Sequence, residues 1–479
     1  MPGQLIINPR RAGVSLRIVV VGGGLAGTAA AFALQRAGHS VTVLERTDGT
    51  VRSHGGIRSP PNMTRILNHW GLAPALAKVA VKCHEFKFHQ ADGELLGLVQ
   101  LHEDFLRDLM ADFIFIQHGD LHELLLGLAT REGVEFRYDA AVTAVDSGNV
   151  SVTLACGERL HADLVVGADG PASLVRTEVV GEELGGVRDG HMSVTFAIPT
   201  ALMRDDADLA PLTQDGNWWV WLGPSMMFHG TLVAGGKEFS VIIGMQGVPP
   251  EMLAQYAESW DATYPLEQFG IDFSVFDIRV QKLVELAKRG TPTVHVRRPL
   301  LESSVCDRAR IAIIGEAAHP LVPAGQHNAG LMIEDAETLG GLFARIQSRA
   351  QIPRILAAYE EIRQPRANYA QAWELRKRAM MTSPPGPEQK KRDAGLRSMM
   401  AYNDWAQMDE TGFRAMWGDE MEMFSYFSTE VVDDWWTKWG ALLARHTDPD
   451  AQSSGKLEVP LSPTVQVSVS NGRRSAYVY

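Results

Sequence analysis

The run GGGLAG places Gly22, Gly24 and Gly27 in G-x-G-x-x-G spacing, and Glu45 follows roughly 20 residues on. Each position has its own chemistry. The first glycine permits a tight turn, the second lets backbone approach a pyrophosphate, and the third lets a helix pack on the preceding strand. The helix then faces the phosphates with unpaired N–H groups. A carboxylate at Glu45 accepts hydrogen bonds from ribose hydroxyls and repels a 2′-phosphate. The spacing therefore predicts a site for an adenine dinucleotide, FAD or NAD, and not NADP. A glycine-rich turn beside a surface glutamate would share the letters but not the flanking pattern.

That flanking pattern is RIVVV before the glycines, LAGTAAAFALQRAG after them, and HSVTVLER next. It reads as strand, helix and strand, with Gly38 closing the helix. A second strand-to-turn passage is DLVVGADGPASLVR, with Asp169, Gly170 and Arg176. A third is IAIIGEAAHPLVPAGQHNAGLMIEDAETLG, where an apolar strand meets Glu316, His319, Pro323 and Gly325 before a helix that should start near Asn328. Asparagine suits a helix cap, and Leu331, Ile333, Ala336, Leu339 and Phe343 are placed for packing. Between these passages, HMSVTFAIP, NWWVWLGP, MMFHGTLVAGG and FSVIIGMQG read as strands parted by Gly/Pro turns, a largely antiparallel sheet. The chain from 355 to 445 reads as helices broken at SPPGPEQKKR.

The bulk properties exclude several classes. With 45 basic against 57 acidic residues the formal charge is −12, which gives no footprint for nucleic acid. Cys83, Cys156 and Cys306 are far apart, with no C-x-x-C, so neither a disulfide framework nor a cysteine zinc site is expected. No partner at ligand spacing gives His319 a metal role, and it reads as a structural histidine. No apolar run reaches membrane-spanning length and no secretory leader is evident, so a cytoplasmic protein is expected.

The glycine motif, the mid-chain GADG…R and the later GEAAHP, in that order, resemble the single-component FAD-dependent aromatic monooxygenases of the 4-hydroxybenzoate and salicylate hydroxylase group. GGIRSPPNMTRILNHWGL, from Gly55 to Leu72, is similar to a segment of their fungal, secondary-metabolic members. The resemblance runs from about Arg17 to Arg366. It implies an α/β fold with a Rossmann-like FAD-binding domain on a parallel sheet, a second, mostly antiparallel β-sheet substrate domain and a C-terminal helical region. The expected divisions are an N-terminal arm (1–16), a first FAD-binding part (17–186), the substrate sheet (187–298), a return to the FAD-binding domain (299–354), C-terminal helices (355–445) and a polar tail (446–479).

The same resemblance implies roles. Gly22, Gly24 and Gly27 would hold the FAD pyrophosphate, and Glu45, with Arg46 beside it, the adenosine ribose. Gly56 and Arg58 would lie near the flavin, Asp169 in the motif used for FAD and reduced nicotinamide, and Glu316 at the ribityl–pyrophosphate region. Pro323 and Gly325 would line the flavin beside the substrate. Asn328 and Ala329 would offer backbone N–H groups to its pyrimidine edge, where a helix N-terminus stabilises the reduced, anionic flavin. NADH or NADPH would act as a transient co-substrate, and oxygen would pass from a flavin C4a-hydroperoxide to the ring.

Three departures stand out. Glu316 replaces an aspartate, HNA at His327–Ala329 replaces QGA, and His118 stands where relatives carry arginine on the FAD, a weaker phosphate partner. Thr195 sits where many relatives have a substrate-binding arginine. His229 and Thr231 occupy a strand where a tyrosine is common. Arg58 and His229 are then the candidates for easing phenol ionisation, and Pro323 joins them as a catalytic-site residue. Trp219 and Trp221, on one strand face, are either sheet core or a substrate wall, and with Thr231 they are the substrate candidates; such a wall would suit a prenylated phenol. The expected partners are a small aromatic molecule, O2 and NAD(P)H, with a homodimer left open. A substrate carboxylate at the attacked carbon would leave as CO2. A reductase or oxidase on the same fold, and a degenerate flavin-binding protein, are the alternatives.

Overall fold

The structure, a computed structural model, describes residues 10–50, 55–181, 185–257, 262–323, 325–402 and 404–445. The first nine residues of the arm and the polar tail 446–479 lie outside the described residues.

Five short strands form a wholly parallel sheet in the order Ile311–Ile313, Leu164–Gly167, Arg17–Val21, Ser40–Leu44, Glu135–Arg137. Strands Ile311–Ile313, Leu164–Gly167 and Arg17–Val21 are apolar in succession because both faces are covered, one by helices Leu25–Arg36 and Asn328–Phe343 and the other by strand Ser151–Leu154 and helix Leu174–Val180. Helix Leu25–Arg36 is buried from Leu25 to Leu34. Its neighbour, helix Asn328–Phe343, approaches so closely that a Cβ on Gly340 would come within 2.7 Å of the Ala33 Cβ. The three chemistry-bearing turns thus leave adjacent parallel strands at the same sheet edge, the usual ligand side of such sheets.

A second, eight-stranded sheet runs in the order Tyr264–Pro265, Arg289–Arg297, Val187–Pro199, Glu238–Met245, Met226–Val233, Asn217–Gly223, Glu85–Gln90, Leu95–Gln100. All pairs are antiparallel except Asn217–Gly223 with Glu85–Gln90. The last two strands come from 85–100, a segment the sequence reading left out of this sheet. Their pattern is interrupted by the hairpin turn at Gly93 (φ +96°) and a register shift at Phe88/His89. A smaller antiparallel sheet (Gly56–Ser59, Ile114–Gln117, Val81–Lys82) bridges the two.

The second half of helix Ile352–Met381 and helices Pro387–Met399 and Glu410–Phe424 pack on one face of the large sheet, while helix Ser428–Arg445 packs on the parallel-sheet side with helix Asn328–Phe343. Helix Ile352–Met381 runs through SPPGPEQKKR's upstream neighbour, and the break falls at 382–386, so Pro387 opens the next helix instead of ending one. A buried ionic network fastens helix Ile352–Met381 to helix Asn328–Phe343. Arg363 and Arg366 bind Glu334 at 2.8–3.1 Å, and Asn62 donates to the same carboxylate at 2.8 Å. Asp335 accepts from Arg363 (2.8 Å), the Gly315 N–H (2.9 Å) and His319 (2.6 Å). His319 is therefore a partnered histidine that holds the strand-end turn to the helix. Among the described residues no helix is long and apolar enough to cross a membrane.

Candidate active site

The glycine turn has the geometry its spacing predicts. Gly22 has φ +102°, and a Cβ there would lie 2.4 Å from the Ala168 carbonyl. A Cβ on Gly27 would lie 1.9 Å from the Gly22 carbonyl oxygen. At Gly24 an added Cβ would meet nothing within 4 Å, so open space fronts the N-terminus of helix Leu25–Arg36, and no side chain caps it. Glu45 reaches back to this turn: its Oε2 accepts from the Gly23 N–H at 2.8 Å, while Oε1 accepts from Thr47. Arg46 is exposed beside it.

Helix His118–Glu132 closes the other side. His122 Nε2 lies 2.7 Å from the Gly23 carbonyl, so it carries the proton, and its buried Nδ1 has no hydrogen-bond partner. His118 Nδ1 and Asp120 Oδ2 are likewise buried and unpartnered. Burial, with His122 nearby, lowers the His118 imidazole to about 4, and burial raises the Asp120 carboxyl. His122 was missed from the sequence; its i, i+4 spacing from His118 on one helix face was the available signal. The unpartnered Nδ1 atoms of His122, which is bonded to the Gly23 carbonyl, and of neighbouring His118 are a set that wants a polar ligand beside the open helix N-terminus, and they fit the diphosphate and hydroxyls of a dinucleotide.

Two motifs recognised separately prove to be physically joined. Arg176 of GADG…R donates through Nη1 to the carbonyls of Ala317 (2.8 Å) and Ala318 (3.1 Å) in GEAAHP. Asp169 accepts from Leu174 N (2.8 Å), Val175 N (3.1 Å) and Ser173 Oγ, capping helix Leu174–Val180. Much of its acceptor capacity is thereby used within the chain. Burial raises the Glu316 carboxyl above the ordinary range.

The loop before helix Asn328–Phe343 is pinned by charge. Arg58, 5% exposed, donates through Nη2 to the Gly325 carbonyl (2.9 Å) and through Nη1 to His229 Nδ1 (3.1 Å), with its guanidinium 5.2 Å from the Trp218 ring centroid. Arg378 donates to the Pro323 carbonyl, and Glu374 accepts from the His327 N–H at 2.7 Å. Burial brings both guanidiniums down to about 10. It also holds His229 well below its ordinary pKa, Arg58 and Arg378 adding to the effect. The helix begins at Asn328 as expected, but His327 occupies the cap, and the Asn328 amide turns back to donate to the Val322 carbonyl. Gly56 is fixed by its N–H to Ser240 Oγ at 2.8 Å.

Strand register sorts the substrate candidates. Thr195, Ile242, His229 and Val220 lie directly opposite one another across four strands, and so share a face. Thr231, two residues from His229, is on that face too, as is Trp218. Trp219 and Trp221 point the other way, into a core with Phe228, Phe239 and Val241. Trp221 donates to Asp277, and Arg279 lies over both rings. Of the two readings of Trp219 and Trp221, sheet core is the one that holds: both lie on the far side of the sheet from Arg58 and His229, because residues of even and odd number diverge along a strand. Trp218 is the tryptophan beside the candidate site.

On the same face as Thr195, Asp189 lies within 2.9–3.0 Å of the Nδ1 atoms of His191 and His295. This is the one metal-compatible trio among the described residues. The Arg297 guanidinium 4.0 Å from the carboxylate already offsets its charge, and the trio ties strand Val187–Pro199 to Arg289–Arg297 where their register shifts.

Residues 15–234 match a family model described as an FAD binding domain. The chain is 30% identical over 404 residues to 3-amino-4-hydroxybenzoate 2-monooxygenase PtmB3 of Streptomyces platensis, covering 81% of this chain and 94% of that protein. It is 28% identical over 386 residues to the FAD-dependent monooxygenase OpS4 of Beauveria bassiana, covering 80% and 89%. The fold is shared with CtdE bound to FAD and substrate (TM-score 0.71, 16% identity, 90% of this chain and all of that one). It is also shared with a salicylate hydroxylase substrate complex (TM-score 0.67, 19% identity, 88% and 97%).

Proposed function

This chain belongs to the FAD-dependent monooxygenase family, and from that premise we propose that it uses NADH or NADPH and O2 to hydroxylate a small phenolic substrate. The observation that carries the aromatic substrate is the buried Arg58–His229–Trp218 group beside the Pro323–Gly325 loop. FAD held there would supply the activation of O2 with electrons from NADH or NADPH, one oxygen atom of O2 going to the ring and the other to water. The residues do the rest. Gly22, Gly24 and Gly27 hold the pyrophosphate on the open helix N-terminus, and Glu45 and Arg46 the adenosine. His118, Asp169 and Glu316 line the centre of the cofactor, and Gly56, Gly325, Asn328 and Ala329 its flavin end. On this reading 17–186 with 299–354 carries the cofactor and the sheet of 187–298 the substrate.

His229 Nδ1 accepts from both Arg58 (3.1 Å) and Trp218 Nε1 (3.4 Å), so its lone pair is occupied and the ring is neutral with Nε2 protonated. It is therefore a hydrogen-bond donor to a phenolate and not the base that makes one. Arg58 supplies the positive charge that favours the ionised phenol and so an electron-rich ring. Thr195 and Thr231 add hydroxyls on the same face. With Trp219 and Trp221 facing away, the argument for a prenyl pocket lapses, and a small, polar ring fits this face better. Loss of CO2 accompanies hydroxylation if the attacked carbon bears a carboxylate, and product mass distinguishes the two outcomes.

Arg58→Met tests the reading. Losing a charge-assisted bond of about 1.5–3 kcal/mol should cut phenol-stimulated product formation roughly 10- to 100-fold in protein that still holds FAD. Unchanged product formation would overturn the assignment.

A further inference from the structure

Charged groups from two distant parts of the chain grip three alternate residues of one loop. Arg378 takes the Pro323 carbonyl, Arg58 the Gly325 carbonyl and Glu374 the His327 N–H. We propose that Glu374 is a positioning residue for the flavin, fixing the direction of the Asn328–Phe343 helix N-terminus and, through its buried charge, setting how readily the bound flavin takes up electrons. The inference rests on the FAD reading above and assigns a role to the C-terminal helix Ile352–Met381, which the sequence left without one.

The geometry is specific. Glu374 is 5% exposed. Its Oε2 would lie 2.9 Å from a Cβ on Gly325, so glycine there lets the carboxylate lie against the loop. Arg378, one helical turn on, is accommodated by a second glycine: a Cβ on Gly244 would come within 2.2 Å of its Nη1. His327 offers no side-chain cap to the helix. With the His327 N–H held by Glu374, the N–H groups of Asn328 and Ala329 are left as first-turn donors along the helix axis. The grip decides where those donors point. Burial raises the Glu374 carboxyl, and the His327 N–H, Arg58 and Arg378 act to keep it ionised; the negative charge they hold against the loop opposes the arrival of electrons on a neighbouring flavin, while Arg58 and Arg378 favour it.

Glu374→Gln separates charge from grip, because the amide oxygen can still accept from His327. The experiment measures FAD content and flavin midpoint potential in the purified holoprotein. The expected result is wild-type FAD content with the potential shifted positive, since a negative charge has gone and the loop has not moved. Glu374→Ala, which removes both, should in addition weaken FAD binding, and Glu374→Asp, one methylene short of His327, should not restore it. A Glu374→Gln potential equal to wild type, or shifted negative, would overturn the proposal. Wild-type protein that takes up no FAD would instead overturn the cofactor reading on which it rests.

Discussion

Gly24→Ala should separate the cofactor's demands on the glycine turn from those of the fold. Gly24 has φ −70°, a conformation open to alanine, and an added Cβ would meet no atom within 4 Å. The apoprotein should therefore keep its stability to within about 0.5 kcal/mol, as for a substitution that touches nothing. The same methyl would occupy the space through which a pyrophosphate reaches the helix N-terminus. Losing one or two charge-assisted hydrogen bonds, at about 1.5–3 kcal/mol each, weakens FAD binding by roughly 10-fold to 10⁴-fold. Gly27→Ala is the contrast. Its Cβ would sit 1.9 Å from the Gly22 carbonyl oxygen, so the helix must move off its strand, an overpacking that costs about 1–3 kcal/mol even without cofactor. The assays are thermal unfolding of each apoprotein and FAD titration followed by flavin fluorescence. Gly24→Ala that binds FAD as tightly as wild type, or whose apoprotein is plainly destabilised, would refute the reasoning.

Other expectations concern the same cleft and the buried histidines. Glu45→Ala should lower FAD occupancy, by about tenfold or more in Kd if one bond to a charged acceptor is lost; unchanged flavin content would count against the ribose assignment. His118→Arg should tighten FAD binding, a guanidinium replacing an imidazole that burial holds near 4 and so uncharged, and a weakened Kd would show that the side chain faces elsewhere. His39 accepts from the Leu16 N–H at Nδ1 (3.3 Å) and faces the Phe343 carbonyl through Nε2 (3.2 Å), and burial lowers it from 6.5 to about 4. The unfolded chain then binds the proton first, so this contribution is full above about pH 6.5 and is lost as pH falls toward 4. Urea midpoints of the apoprotein should fall over that window and fall less steeply in His39→Gln; a flat wild-type profile would contradict it.

Much of the cofactor side was legible because local spacing carries it. The turn geometry at Gly22 and Gly27 follows from contacts within a few residues and one neighbouring strand, and periodic β-branched runs located the parallel sheet. The substrate side was less legible. Alternation showed that Trp219 and Trp221 share a face, but only the pairing of His229 with Val220, and of Ile242 with both His229 and Thr195, tells which face meets Arg58. Arg58 and His229 were candidates singly; their contact spans 171 residues and has no local signature. Glu374 and Arg378 were invisible for the opposite reason. An acid and a base four apart on a helix usually form a solvated pair, and here both are buried against a loop some 50 residues upstream in sequence.

The most direct test of the central claim is oxygen incorporation. Purified, FAD-loaded protein is supplied with NADH or NADPH and isotopically labelled O2 across a panel of phenols and hydroxybenzoates. The account predicts a substrate that stimulates NAD(P)H oxidation and leaves with one labelled oxygen on its ring. A turned-over substrate whose product carries no labelled oxygen would contradict it.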